Sequence, residues 1–186
     1  MAVAFLAAGC GGASVADTTS TRHAKAGTTS RCTAASGGFR ACTVFAESAA
    51  AFRRLGGGEV SRIERRRGSR WSVLLAPERG PHPRHGWWRR VLAGPGGRTL
   101  LAEWSGECEI PSTYLVGTHD LSLRPVFGSQ PATALGWTDA GLARVKLWKP
   151  VYATKTRIRF QAGVYLVTRA GRVARLERRV PRSLGC

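Results

Sequence analysis

The chain has 186 residues and a formal net charge of +18, with 25 Arg, 4 Lys, 3 Asp, 8 Glu and no Asn. That length allows one ordinary domain with a tail and excludes two large domains. The charge directs attention to anionic partners. Part of it follows from a GC-rich coding sequence, which favours Arg over Lys and suppresses Asn. The basic residues also come as short scattered runs, Arg65 to Arg67, Arg89 with Arg90 and Arg178 with Arg179, the pattern of solvated strand edges and loops.

From the N-terminus, an apolar run reaches Ala8 and is followed by Gly9 and Cys10. It is too short to cross a bilayer, which takes about 20 apolar residues. Ala7, Ala8, Gly9 and Cys10 match the pattern in which small residues admit a signal peptidase and a free thiol accepts a diacylglyceryl group, and Leu6 stands one place earlier than the leucine that pattern prefers. In these residues the chain resembles a bacterial lipoprotein, so residues 1–10 are expected to be a signal segment and Cys10 the lipidated residue. Two acyl chains hold a protein durably, at about 0.8 kcal/mol per buried methylene. The resemblance implies a cell-membrane address on the outer face. A signal segment opens with Lys or Arg, and none precedes Cys10, so the translation start is expected upstream.

Residues 11–30 are mainly Gly, Ala, Ser and Thr without an apolar period, the composition of a disordered tether. Four further cysteines follow, Cys32, Cys42, Cys108 and Cys186. An even number outside the reducing cytosol is expected to pair. Cys32 with Cys42 would close a short loop and Cys108 with Cys186 would pin the C-terminus, although the sequence leaves all three pairings open. A zinc site is the rival reading, and no C-x-x-C spacing supports it.

Residues 31–58 form a cysteine-containing segment in which one helix is expected from Thr43 to Leu55. Phe45, Ala49, Phe52 and Leu55 fall near one face, Thr43 offers an N-cap, and Gly56 to Gly58 stop the helix. Residues 59–186 are expected to be a β-rich repeat domain. Strand-like runs there include Trp71–Ala76, Trp88–Ala93, Thr99–Trp104, Ser112–Val116, Leu121–Val126, Ala134–Trp137, Leu142–Trp148, Arg157–Phe160, Gly163–Val167 and Val173–Glu177.

The last hundred residues read as an internal duplication. Gly97-Arg98 aligns with Gly141-Leu142, and Thr113-Tyr-Leu-Val116 aligns with Val164-Tyr-Leu-Val167, so the shift grows from 44 to 51 residues. That growth implies an insertion near Trp148 to Gln161. With Gly94-Pro-Gly-Gly-Arg98 before Thr99-Leu-Leu-Ala102, and Trp137-Thr-Asp-Ala-Gly141 in the second copy, residues 87–180 resemble TolB-like β-propeller blades. The resemblance implies a mainly β fold of antiparallel strands in about two blade-like repeats, forming an arc that is open, closed by partners, or the remnant of a longer propeller.

Familiar catalytic signatures for nucleotide binding, serine or metal hydrolysis and calcium loops are absent from the sequence. Thr118-His119-Asp120 is contiguous, so its side chains cannot converge on one substrate, and a turn is expected. His82 and His85 could hold a metal only if their proline-rich loop folded back. Glu107 and Glu109 put two carboxylates on one strand face beside Cys108, where solvated acids flanking a disulfide are expected. Arg interleaved with Trp87, Trp88 and Trp104 is the residue mix of single-strand nucleic-acid binders, yet no recognised module accompanies it and nucleic acid is not expected. The expected function is a non-enzymatic binding or scaffold role in the cell envelope, with anionic lipid or acidic wall polymer as partner and neither cofactor nor metal. The alternatives are an envelope enzyme with an unrecognised site and a degenerate fragment of a longer propeller lipoprotein.

Overall fold

The computed structural model describes residues 22–24, 27–81, 86–106 and 111–179. They form a mainly β fold of antiparallel sheets with one short α-helix. Sheet 1 follows the chain as β1 (Arg22–Ala24), β2 (Thr28–Cys32), β3 (Phe39–Ala46), β4 (Glu59–Arg67) and β5 (Arg70–Leu75). Sheet 2 is β6 (Trp87–Ala93), β7 (Thr99–Ser105), β8 (Ser112–Gly117) and β9 (Leu123–Pro125). Sheet 3 begins with β10 (Ala132–Trp137) and β11 (Ala143–Leu147). A separate hairpin of β12 (Val151–Tyr152) and β13 (Ile158–Phe160) then interrupts the chain before β14 (Gly163–Val167) and β15 (Val173–Arg179) complete sheet 3.

The two aligned tetrapeptides occupy equivalent places. Thr113–Val116 lies in β8 and Val164–Val167 in β14, each the third strand of its four-stranded sheet. The stretch expected as an insertion, from Trp148 to Gln161, carries the hairpin β12–β13. Sheet 1 adds a third run of the same up-and-down pattern.

Alternation explains the stacking. In β7, Leu100, Ala102 and Trp104 turn to sheet 1 and join Phe39, Ile63 and Leu75, while Leu101 turns to sheet 3 and joins Ala132, Val145, Tyr165 and Val167. Side chains of a strand point to opposite faces at every step, so a strand buried on both faces reads as a continuous apolar run. β7 is buried from Leu100 to Ser105, which identifies sheet 2 as the middle layer.

β6 and β10 are the first edge strands of sheets 2 and 3, where unpaired amides and carbonyls need partners. Side chains of neighbouring sheets supply them. Ser61 Oγ accepts from the Trp88 amide at 2.9 Å, Ser36 Oγ accepts from the Ala93 amide at 3.1 Å, and Trp137 Nε1 donates to the Leu92 carbonyl at 3.2 Å. On β10, Glu103 Oε1 accepts from the Ala134 amide at 2.7 Å, Arg90 Nη1 donates to the Ala134 carbonyl at 3.1 Å, and Thr113 Oγ1 donates to the Ala132 carbonyl at 2.6 Å.

Two local expectations are corrected. The helix spans Ala49–Leu55, with Ser48 as N-cap, while Thr43 to Ala46 belong to β3. Register with β2 and β4 on both sides of β3 outweighs the helical spacing of Phe45 and Phe52, and Phe52 is left exposed. Gly56 does stop the helix, in the left-handed region at φ 69° with its amide bonded to Arg53 and Phe52 carbonyls. The tether expected to reach Ser30 ends earlier: Arg22–Ala24 and Thr28–Cys32 are paired strands, and β1 to β3 share one sheet with β4 and β5.

Candidate functional site

In an up-and-down sheet every second connection falls at the same end, and three sheets stacked in register gather those turns. The β8–β9 turn is tied to the β6–β7 turn, because the Thr118 amide donates to the Arg98 carbonyl at 3.1 Å and Thr118 Oγ1 donates to the Gly97 carbonyl at 2.8 Å. Arg169, in the β14–β15 turn, donates from Nη2 to the Pro95 carbonyl at 3.3 Å. The β2–β3 loop joins them through Ser36 and the Ala93 amide, and the Arg66 amide donates to the Gly38 carbonyl at 2.8 Å.

This end is strongly basic. The turns and their flanks carry Arg66, Arg67, Arg70, Arg98, Arg124, Arg169 and Arg172, against the carboxylates Asp120 and Asp139. A cleft of about 320 Å³ opens there, bordered by Arg98, Arg124, Arg169, His119, Asp120 and Ser122 among others. Beside it, Gly94 to Gly97 and Trp137 to Asp139 border a broader recess of about 600 Å³.

Thr118, His119 and Asp120 form a turn, and they do not assemble a triad. Asp120 is spent locally: its Oδ1 accepts from the Ser122 amide at 3.1 Å and from the Ser122 hydroxyl at 3.0 Å. The amide bond first, then the hydroxyl, hold its carboxyl below its usual value, so it is ionised at neutral pH. A Cβ at Gly117 would collide with that carboxylate. At Gly141, φ is 74° and a Cβ would meet Arg169 Nη2 at 2.9 Å, so both turns require glycine. Leu121 closes the β8–β9 turn at φ 54°, a region that side chains rarely adopt.

At the other side of sheet 1, a cleft of about 490 Å³ lies between β2, β3 and the start of β6, with Arg31, Phe45, Glu59, Trp87 and Arg89 on its walls. Its charges have both signs, and the Arg31 guanidinium lies 5.5 Å from the Phe45 ring centre. Trp88 packs edge-to-face on Trp104 and Tyr114, with centroids at 4.9 and 5.9 Å, so Trp88 and Trp104 belong to the core. The Trp88 indole N–H is buried without a hydrogen-bond partner among the described residues.

Cys32 and Cys42 are paired directly across β2 and β3 and form a disulfide. The buried Glu64 carboxylate lies 3.3 Å from Cys42 Sγ. Two sulfurs and a carboxylate within 4.8 Å have the composition of a metal site, but the sulfurs are spent in the bridge. Arg40 Nη2 holds Glu64 Oε2 at 2.6 Å and Arg62 Nη2 holds Oε1 at 2.7 Å, so a cation would meet two guanidiniums. Arg40 lies in turn 4.1 Å from the Trp71 ring centre. The group is a structural node on the outer face of sheet 1.

Glu103 is the other buried carboxylate of note. Desolvation raises its pKa above the usual 4.5, opposed by the Ala134 amide and by the charges of Arg90 and Arg89. Its bonds explain it as a cap for β10.

Cys10, Cys108, Cys186, His82, His85, Glu107 and Glu109 lie outside the described residues. The basic runs that stand out in sequence are dispersed: Arg89 and Arg90 on β6, Arg178 and Arg179 on β15, Arg65 to Arg67 at the end of β4. Arg98, Arg124 and Arg169 converge without forming a run. The available signal was their position beside hairpin turns, next to Gly97, Ser122 and Gly171. Compared with known proteins, this chain of stacked antiparallel sheets matches no family model, no curated protein and no solved structure.

Proposed function

We propose that this protein is a non-enzymatic binding or scaffold protein of the cell envelope, anchored through lipid on Cys10, whose basic end engages an acidic component of the wall or membrane. The observation that carries this reading is the gathering of seven arginines and two carboxylates on the turns of three sheets at one end of the stack. Unbalanced charge on a scaffold of laced turns raises the local concentration of anions and steers their approach. The Cys32–Cys42 bridge supports an address outside the reducing cytosol. The tandem four-stranded sheets support the reading of an open propeller-like arc, whose inner edge strands are satisfied by side chains.

Two measurements test it on the full chain. Mass spectrometry of the mature N-terminus from a membrane fraction is expected to find diacylglyceryl-modified Cys10, and an unmodified, unprocessed terminus refutes the anchor. After enzymatic delipidation, sedimentation with envelope fragments is expected to fall steeply as salt rises through a few hundred millimolar, where the screening length drops below about 8 Å. Salt-insensitive retention refutes the electrostatic reading.

A further inference from the structure

We propose that the cleft bordered by Arg98, Arg124 and Arg169 is a subsite for a phosphoryl group, carried on a small molecule or at the exposed end of a polymer. This rests on the anion-binding reading above and narrows it to one place and one chemistry.

The first support is charge balance. Three arginines and one aspartate line the cleft, and three less one leaves two formal positive charges. A phosphomonoester at neutral pH carries about −1.5 to −2 and neutralises that excess, whereas a carboxylate leaves half of it. The second is availability. Among the described residues neither Arg98 nor Arg169 has a carboxylate in salt-bridge reach. Among the described residues the acid in salt-bridge reach of Arg124 is Asp120, at 3.9 Å between two exposed side chains, a screened pair that a better acceptor displaces. Asp120 is already bound on its other oxygen by the Ser122 amide and hydroxyl, so it tightens the turn and does not fill the cleft.

The third support is preorganisation. The arginines come from three different hairpins, which are tied to one another by a main-chain bond from the Thr118 amide to the Arg98 carbonyl and by a side-chain bond from Arg169 Nη2 to the Pro95 carbonyl. Guanidinium forks match tetrahedral phosphate oxygens two at a time. A volume of about 320 Å³ is at the lower end of small-ligand sites. The space admits a phosphate with part of the group that bears it and does not fit a flat bilayer surface.

The test uses the full chain in detergent, titrated at fixed ionic strength with glycerol 3-phosphate and followed by calorimetry and by the phosphorus resonance of the ligand. Saturable binding is expected, at least about tenfold tighter than acetate, in line with the loss of a charge-assisted contact. Arg98→Gln and Arg169→Gln are each expected to weaken it about tenfold, while Arg157→Gln, in the exposed β12–β13 loop, leaves it unchanged. No saturation, or equal weakening by Arg157→Gln, overturns the subsite. Binding to phosphatidylglycerol vesicles that free glycerol 3-phosphate fails to compete away overturns it in favour of a planar membrane. Salt-sensitive envelope retention without glycerol 3-phosphate binding removes this subsite and leaves the broader reading standing. Saturation together with salt-insensitive retention does the reverse.

Discussion

Replacing Glu103 tests how the second and third sheets are joined. Its Oε1 accepts from the Ala134 amide at 2.7 Å, Ala134 is fully buried, and Glu103 itself is 6% exposed. In Glu103→Ala the amide loses its acceptor where water does not replace it, which costs about 1 to 3 kcal/mol. Arg90 loses an opposite charge that lies across from it on β7, while relief of a desolvated carboxylate offsets part of the loss. A net destabilisation of about 2 kcal/mol is expected, or about 4 to 8 °C in melting temperature for a chain of this size.

Glu103→Gln keeps an oxygen acceptor and removes the charge, so its stability at neutral pH is expected within about 1 kcal/mol of the parent. The two differ in pH dependence. The folded pKa of Glu103 lies above its usual 4.5, so the folded state holds the proton more tightly than the unfolded state. Its contribution is greatest below the unfolded value and is lost as pH rises through the window from that value up to the folded one. Urea unfolding followed by tryptophan fluorescence, from about pH 4 to about pH 8 across that window, should show the parent losing stability relative to Glu103→Gln as pH rises. A constant difference between the two, or Glu103→Ala as stable as the parent throughout, refutes the assignment.

Removing the Cys32–Cys42 bridge by double Ala substitution should cost about 2 to 3 kcal/mol, as for a short loop, read by denaturant midpoint. Circular dichroism should still report the sheet, because β2 and β3 keep their ladder. Glu64→Ala leaves Arg40 and Arg62 facing each other over a buried space. With Arg62 partly exposed, a loss of about 2 kcal/mol is expected, smaller than the rupture of a fully buried pair, and raised salt should shrink it. Ser48→Ala removes the side chain that accepts from the Ala51 amide at 3.1 Å. It should lower stability by about 1 kcal/mol, with faster amide exchange confined to Ala49–Leu55.

Strand existence was legible wherever a short apolar or β-branched run lay between Gly and Pro, as in Gly163–Val167, whose expected and observed bounds coincide. The likeness of Thr113–Val116 and Val164–Val167 was also legible, and each lies on the third strand of a four-stranded sheet. Sheet 1 was harder to read. Phe39–Ala46 contains Arg40 and Thr43 amid apolar residues and is followed by an alanine-rich stretch, so a helical period could be fitted across a strand, a turn and a helix.

From the amino-acid order alone come the basic charge and the mainly β character, because each is a local or compositional property. Which cysteines meet at β2 and β3, why Glu103 is buried, and how Arg98, Arg124 and Arg169 come to share a cleft were decided only by the tertiary structure. These depend on register and on the stacking of three sheets, which bring side chains from turns 26 to 71 residues apart in the chain to one end.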